Sequence, residues 1–174
     1  MEAGGEKMSQ VVLVRVDSRL IHGQVVLKCL KETKAKRILI VDDTICQDPL
    51  MVQIFTMAAP DGVRIDLCDT KAAGQASQAG TLAQDMPTIV LFKHLEAAQA
   101  AYQAGFHMQE LGIGSVGGGP GRVNVTGAVT MSRQEAQAAD WLMEQGVHVT
   151  LQGTVEDTLM DWKDVREQFS SHEK

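Results

Sequence analysis

Runs of apolar residues that do not alternate with polar ones restrict the fold of this chain most. Residues 38–41 read Ile-Leu-Ile-Val, and residues 88–92 read Thr-Ile-Val-Leu-Phe. A strand with one face in water alternates apolar and polar residues, so strands that are apolar throughout are buried on both faces. Burial of this kind arises where helices cover both sides of a mainly parallel sheet. The sequence therefore predicts an α/β fold.

Segments with strand and helix character alternate along the chain, which predicts a doubly wound, mostly parallel sheet with helices on both faces. The predicted strands are Val11–Val16, Arg37–Val41, Val63–Leu67, Thr88–Phe92, Glu110–Gly114, Arg122–Thr126, Ala128–Met131 and Val147–Leu151. The predicted helices are Gly23–Thr33, Asp48–Ala58, Thr70–Ala79, Leu95–Ala104, Ser132–Gln145 and Thr154–Phe169. The sixth and seventh strands are close enough to form an antiparallel hairpin. Ser132 and Glu135 have the spacing of a capping box for the fifth helix.

The chain reads as a single domain. Its 174 residues can bury a normal core, and no repeat or biased linker divides it. We predict one domain over residues 9–170, preceded by a disordered or tag-like tail over residues 1–8. The first seven residues lack the apolar centre of a signal peptide.

Composition excludes several classes of function. The net charge of −6 and the pI near 5.3 argue against nucleic acid as a partner. No apolar run approaches the ~20 residues that cross a bilayer. Cys29, Cys46 and Cys68 have no Cys-x-x-Cys spacing, so we interpret them as reduced, mostly buried residues of a cytosolic protein.

Neither a metal nor an organic cofactor is predicted. His94, His107, His148 and His172 lack metal-ligand spacing among themselves and with the cysteines. Residues 112–117 match Gly-x-Gly-x-x-Gly, but more glycines and Pro120 follow, so no helix can begin there as a dinucleotide site requires. A flexible hairpin near the charged loop described next explains this run better.

The loop after the first predicted strand concentrates charge around one histidine. Arg15, Asp17 and Arg19 lead to His22, and Gly23 opens the next helix. An imidazole between two arginines, where a strand gives way to a helix, indicates a site for an anion. A solvated or structural histidine is the alternative that the pattern leaves open.

Phosphoryl transfer explains why these residue types occur together. The imidazole of His22, with an unperturbed pKa of about 6.5, is largely an unprotonated nucleophile at neutral pH. Arginine matches the charge and geometry of a phosphoryl group. The N–H groups of Gly23, Gln24 and Val25 would point to the same place, and Gly23 lets the backbone come close. Asp17 cannot hold an anion, and we expect it to orient His22 or an arginine.

The same segment carries a resemblance to a known family. Residues 15–24 read Arg-Val-Asp-Ser-Arg-Leu-Ile-His-Gly-Gln. They resemble the signature Arg-hydrophobic-Asp-x-Arg-hydrophobic-hydrophobic-His-Gly-Gln of the enzyme IIB component of the mannose/fructose/sorbose family of the bacterial sugar phosphotransferase system. The similarity continues through Arg-Ile-Leu-Ile-Val-Asp-Asp and the Asp48-Pro49 helix start, and spans residues 10–168.

The resemblance implies a three-layer sheet of about seven strands and a role for two residues of the signature. It implies that His22 is the phospho-acceptor through Nδ1, and that Arg19 helps to hand the phosphoryl group to sugar. Arg15, Asp17, Gly23 and Gln24 match without individual roles.

The chain departs from the family pattern at two places. Ser18 stands where the family often has an acid. Residues 112–115 read Gly-Ile-Gly-Ser where Asn-x-Gly-Gly is typical, so any contact of that asparagine is missing.

The resemblance also implies partners. The chain would be a phosphotransferase that receives a phosphoryl group from a IIA component and passes it to a sugar entering through membrane IIC and IID subunits. It would lie in the cytoplasm, at the inner face of the membrane, through those permease subunits. The sequence leaves a homo-oligomer open.

Other polar residues follow the predicted strands, where sites form in such sheets. Thr70 is a candidate donor to a phosphoryl oxygen, although a role as helix N-cap explains it better. Arg122 is a candidate second anion contact. Asp42 and Asp43 read as turn caps or arginine partners. Lys93 and His94 read as a solvated loop or a partner contact.

Two other classes of function remain as alternatives. A receiver-like signalling domain would need its acidic pair after the first strand, whereas here the pair follows the second. A non-enzymatic anion- or nucleotide-binding module could use the same loop.

Overall fold

The computed structural model describes residues 10–127, 129–154 and 156–171; the predicted tail over residues 1–8 lies outside these ranges. The described strands are β1 (Val11–Val16), β2 (Arg37–Val41), β3 (Arg64–Cys68), β4 (Thr88–Phe92), β5 (Glu110–Ile113), β6 (Val123–Thr126), β7 (Val129–Met131), β8 (His148–Leu151) and β9 (Met160–Asp161). Seven of them form a sheet in the order β3-β2-β4-β1-β5-β8-β9, and β6 pairs with β7 as a separate antiparallel ribbon. Neighbouring strands of the large sheet are parallel, except β8 and β9. The predicted fold class is confirmed.

The described helices are α1 (Gly23–Thr33), α2 (Pro49–Met57), α3 (Thr70–Gln78), α4 (Leu95–Gln103), α5 (Arg133–Glu144) and α6 (Trp162–Ser171). Side-chain caps explain where several begin. Asp48 accepts hydrogen bonds from the N–H groups of Leu50 and Met51, and Pro49 occupies the first helical position. The predicted capping box of α5 is confirmed, since Ser132 and Glu135 bond reciprocally.

Two hydrophobic clusters lie on opposite faces of the sheet. The larger contains Val14 and Val16 of β1 and residues of α3 to α6, among them Trp162. The smaller contains Leu20, residues of α1, and Ile38 and Ile40 of β2, with part of α2 packed against it. Because successive side chains of a strand point to opposite faces, each face receives its own helical layer. We call α3 to α6 the major layer, and α1 with α2 the minor layer.

The last predicted helix is wrong over its first half. Residues 154–169 were expected to be helical, but Met160 and Asp161 form β9 against Leu151 and Thr150, and α6 begins at Trp162. The paired residues of β8 lie 9 and 11 positions earlier, beyond the reach of a local helical pattern, so sheet pairing overrides the helical composition. The other bounds equal the predicted ones or differ from them by one or two residues. Ala128, predicted to begin a strand, lies outside the described residues.

The topology brings the charged loop to the carboxyl edge of the sheet. The chain leaves β1 through the minor layer towards β2, whereas β5 leads through α5 towards β8 on the other side. Ligand sites of doubly wound sheets form where the connections diverge in this way. The flavodoxin-like receiver order is 2-1-3-4-5, so the strand order does not support the receiver-like alternative. Within the described ranges, no helix has both the length and the apolarity to span a bilayer.

Candidate functional site

The loop between β1 and α1 is held in a tight turn. The N–H of Asp17 donates to the carbonyl of Phe92 at 2.9 Å, and the N–H of Leu20 donates back to the carbonyl of Asp17 at 3.0 Å. Leu20 has a positive φ of 54° with its side chain only 2% exposed. This backbone conformation is unfavourable for a residue with a side chain. Burial of Leu20 in the smaller cluster therefore holds the loop in a constrained shape.

Asp17 lies at the centre of the site. It is only 1% exposed. Its Oδ1 accepts hydrogen bonds from the Arg19 N–H at 3.1 Å and from Arg19 Nε at 3.4 Å. Its Oδ2 lies 3.3 Å from His22 Nε2 and 3.5 Å from Arg15 Nη2. One buried carboxylate thus contacts the histidine and both arginines.

Arg15 points into the protein. It is 7% exposed, and its Nη2 donates to the carbonyls of Gln152 and Gly153, both at 3.0 Å. The guanidinium lies against Gly114, where an added Cβ would be 2.3 Å from Nη2. A glycine inside a strand-like segment often marks such a close approach, so Gly114 is the residue in the sequence that indicates this contact. The contacts with residues 152 and 153 had no such signal.

Arg19 lies at the surface of the same loop. Its side chain is 45% exposed, and the ion pair with Asp17 holds it at one end. The two arginines of the motif therefore differ in environment. Arg15 is part of the buried support, whereas Arg19 can reach a molecule that approaches from solvent.

The His22 side chain is 20% exposed and has Asp17 on its Nε2 side. Three buried polar atoms of the described residues make no hydrogen bond: His22 Nε2, Asp17 Oδ2 and Arg15 Nε. The first two lie within ion-pair distance of each other. A carboxylate beside one ring nitrogen favours the proton there, which leaves the lone pair on the other nitrogen. Asp17 thus favours a tautomer in which Nδ1 carries the lone pair.

Helix α1 adds positive potential beside His22. His22 is its N-cap residue, and the side chain does not cap the helix. The first N–H groups of a helix have no partner within it, and they attract anions. Gly23 has a φ of 25°, and a Cβ there would meet nothing within 4 Å, so this end of the helix is open. The side chain of Gln24 lies outside what the structure describes.

A glycine-rich segment borders the loop. The N–H and Oγ of Ser18 donate to the carbonyl of Ser115 at 3.0 and 3.2 Å, and the N–H of Gly117 donates to Ser18 Oγ at 3.4 Å. Residues 117–121 are exposed. They lie near the loop as expected, but they precede the antiparallel hairpin, which is formed by β6 and β7.

Thr70 and Arg122 do not join these residues. Thr70 follows β3, three places from β1 and therefore ~14 Å across the sheet. Its hydroxyl donates to Asp43 Oδ2 at 3.2 Å, and the N-cap of α3 is Asp69, so the interpretation of Thr70 as the cap is wrong. Arg122 donates to Glu135 Oε2 at 2.6 Å.

Several of the remaining candidate residues line a cleft at the carboxyl edge of the sheet. It is an open cleft of about 590 Å³, and Asp42, Asp43, His94, Arg122 and Glu135 are among its lining residues. Asp42 caps the turn after β2 by accepting from the N–H groups of residues 44 and 45, at 2.9 and 2.8 Å. The capping interpretation of this aspartate is confirmed. In the part of the chain that the structure describes, no three His, Cys, Asp or Glu side chains are grouped for a metal.

The cysteines provide no reactive thiolate. Cys29 is buried beside the loop, whereas Cys46 and Cys68 are only partly buried, and all three are free. Burial raises the pKa of each thiol, that of Cys68 to about 12. None of the three thiols is therefore a candidate for the nucleophile at this edge.

Known proteins share both the sequence pattern and this fold. Residues 11–174 match the family model described as the PTS system sorbose subfamily IIB component, where PTS stands for phosphotransferase system. The chain belongs to this family. The resemblance inferred from residues 15–24 is thereby confirmed.

Individual relatives agree with the family match. The sorbose-specific EIIB component of Klebsiella pneumoniae is 30% identical over 148 residues, which is 85% of this chain and 90% of the relative. The mannose-specific EIIAB component of Escherichia coli is 25% identical over 88% of this chain and 47% of its own length. The crystal structure of the IIB domain of the Klebsiella pneumoniae sorbose permease superposes with a TM-score of 0.80 at 29% identity, covering 91% and 97% of the two chains. IIB components are phosphotransferases in general, and this chain is a IIB component of that kind.

Proposed function

We propose that this IIB component is a phosphocarrier in which His22 accepts a phosphoryl group and passes it to a sugar. The observation that carries the proposal is the 3.3 Å approach of Asp17 Oδ2 to His22 Nε2. It arranges the imidazole with Nδ1 as the nucleophile, inside the motif that the family match covers.

In the first step, Nδ1 of His22 attacks the phosphorus of a phosphohistidine on a IIA component. The N–P bond of the donor breaks as the Nδ1–P bond forms. The His22 ring keeps its Nε2 proton and gains positive charge, which the Asp17 carboxylate stabilises strongly because it is buried.

The negatively charged oxygens of the phosphoryl group need cations at the surface of the loop during both transfers. Arg19 supplies one, since it is exposed and fixed at one end by Asp17. The N-terminus of α1 supplies N–H groups beside Gly23. Arg15 acts as a positioning residue because its guanidinium is occupied by two backbone carbonyls.

In the second step, a sugar hydroxyl attacks the phosphorus, the Nδ1–P bond breaks with its electron pair returning to Nδ1, and the hydroxyl proton is released to water. The sugar enters through membrane IIC and IID subunits, so this component works in the cytoplasm at the inner face of the membrane. The name EIIAB of the Escherichia coli relative supports a IIA unit as the donor. The proposed site residues are thus His22, Arg19, Arg15, Asp17, Gly23 and Gln24.

Radioactive labelling tests the assignment of His22. The protein is incubated with labelled phosphoenolpyruvate, the general phosphotransferase proteins and a IIA component, and the label is mapped by peptide analysis. We expect a label that is lost in acid and stable in base, as phosphohistidine is, and its complete absence in His22→Ala. Circular dichroism should show an intact fold, because His22 lies in a polar loop.

His94→Ala is the matched control, because His94 follows another strand at the same edge. It should label like the wild type. Full labelling of His22→Ala would contradict the proposal, as would loss of label in His94→Ala alone. The absence of any covalent label would favour the anion-binding module.

A further inference from the structure

Helix α2 is apolar on both of its faces. Residues 49–57 read Pro-Leu-Met-Val-Gln-Ile-Phe-Thr-Met, and none of them is buried. Met51 and Phe55 pack against the smaller cluster. Leu50, Ile54 and Met57 point away from it and are 64%, 49% and 77% exposed. Helices that are apolar all round are normally covered on all sides, so the outer face of α2 has the composition of an interface.

The outer residues have the spacing of a helix–helix seam. Leu50, Ile54 and Met57 are separated by four and three positions, which is the heptad pattern of helices that pack side by side. The set is nearly symmetrical about Ile54. In an antiparallel pair of such helices, Ile54 would face its own copy, and Leu50 would face Met57 of the other chain. The seam is therefore complementary to itself, as a two-fold interface requires.

The distribution of charge directs contact between two copies of this chain to α2. Two chains with a net charge of −6 repel each other over most of their surfaces. Of the six α-helices in the described ranges, α2 is the one without a charged residue. Contact through α2 therefore brings two copies together without like charges within the seam.

We propose that the outer seam of α2 is the docking site of a second copy, with the two-fold axis passing through Ile54. The inference does not depend on the chemistry of His22. One helix of nine residues is about 13.5 Å long, and stable dimers bury about 800 Å² on each partner. This seam is smaller than that, so the association is weak and reversible.

Sedimentation equilibrium of the wild-type protein tests the association, over concentrations from about 10 µM to 1 mM, the range in which a small interface forms. The mean mass should rise from 18.8 kDa towards twice that value. Higher ionic strength should strengthen the association, because it screens the repulsion between two acidic chains.

Charge variants test whether the two-fold axis passes through Ile54. Ile54→Glu and Ile54→Lys should each be monomeric, because each places like charges opposite one another, and an equimolar mixture should associate. Leu50→Glu combined with Met57→Glu should likewise be monomeric. Leu50→Glu combined with Met57→Lys should keep the association through two crossed ion pairs. Leu27→Glu is the matched control, since Leu27 is 53% exposed on α1 and outside the seam, and it should behave like the wild type.

Three results would overturn the proposal. The wild type could remain monomeric up to the highest concentration, which would mean that another molecule covers α2. Dimers could persist in Ile54→Glu or in the double glutamate variant, which would place the interface elsewhere. The complementary variants could both fail to restore the association, which would exclude an antiparallel pair centred on Ile54. Circular dichroism identifies any variant that does not fold, and the more exposed positions 50 and 57 then carry the test.

Discussion

The loop between β1 and α1 has a buried support, formed by Arg15 and Asp17, and an exposed rim, formed by Arg19 and Gly23. The two parts each contain an arginine of the motif, in different environments. In the support, Arg15 and Asp17 are 7% and 1% exposed, and Arg15 donates to two fixed carbonyls. On the rim, Arg19 is 45% exposed and Gly23 faces open space. Since both arginines belong to one motif, position within the motif does not give a residue its role. Under the proposed function, the side with the fixed partners positions the loop, and the open side contacts the incoming anion.

This difference agrees with the general design of transfer sites. A phosphoryl group in transfer needs positioned cations, and a cation can be positioned only if the backbone beneath it is rigid. Leu20 contributes to that rigidity, because its strained backbone is held by a buried side chain. Substitutions in the support should therefore change stability, whereas substitutions on the rim should change transfer.

The largest effect on stability is expected for Arg15→Gln. The substitution removes the guanidinium that lies beside the buried Asp17 carboxylate. The negative charge of Asp17 then loses one of its cationic partners. Breaking such a buried pair costs about 3 kcal/mol of unfolding free energy or more. Urea denaturation of the variant and the wild type measures the loss. A loss below about 1 kcal/mol, the range of surface ion pairs, would mean that Arg15 contributes to stability only as an exposed rim residue does.

A smaller loss of stability is expected for Gly114→Ala. Its methyl group would lie 2.3 Å from Arg15 Nη2, and the guanidinium cannot retreat because residues 152 and 153 hold it. Overpacking of this kind costs about 1–3 kcal/mol. Gly117→Ala is the matched control, since a Cβ there meets nothing within 4 Å. Its free energy of unfolding should stay within about 0.5 kcal/mol of the wild-type value. Equal midpoints for the two variants in urea would show that Gly114 does not set the position of Arg15.

Several features of the fold could be predicted because they depend on local sequence. The apolar runs of β2 and β4, the capping box of α5 and the polar loop around His22 are local patterns, and the structure has all three. The two-residue strand β9 could not be predicted, because it exists only through pairing with β8. The bond between Thr70 and Asp43 joins residues 27 positions apart, and it depends on β2 and β3 being neighbours. The two arginines could not be separated for the same reason, since the carbonyls that hold Arg15 lie more than 130 positions away.

The smallest effect on stability, and a selective effect on transfer, is expected for Arg19→Gln. Its exposed ion pair with Asp17 contributes about 0–1 kcal/mol to stability, so the urea midpoint should hardly move. Phosphorylation of His22 should remain detectable. Transfer to sugar should fall about 100-fold, because a cation on the solvent side stabilises transition-state charge more than the resting phosphohistidine. The measurement is a chase of labelled protein with sugar and membrane vesicles that contain the IIC and IID subunits. Arg64→Gln is the matched control, since Arg64 is 58% exposed and pairs with Asp66 at 2.8 Å on the edge strand β3, far from the loop. If both variants transfer at the wild-type rate, the rim does not act through Arg19. If Arg19→Gln loses as much unfolding free energy as Arg15→Gln, exposure does not distinguish the rim from the support.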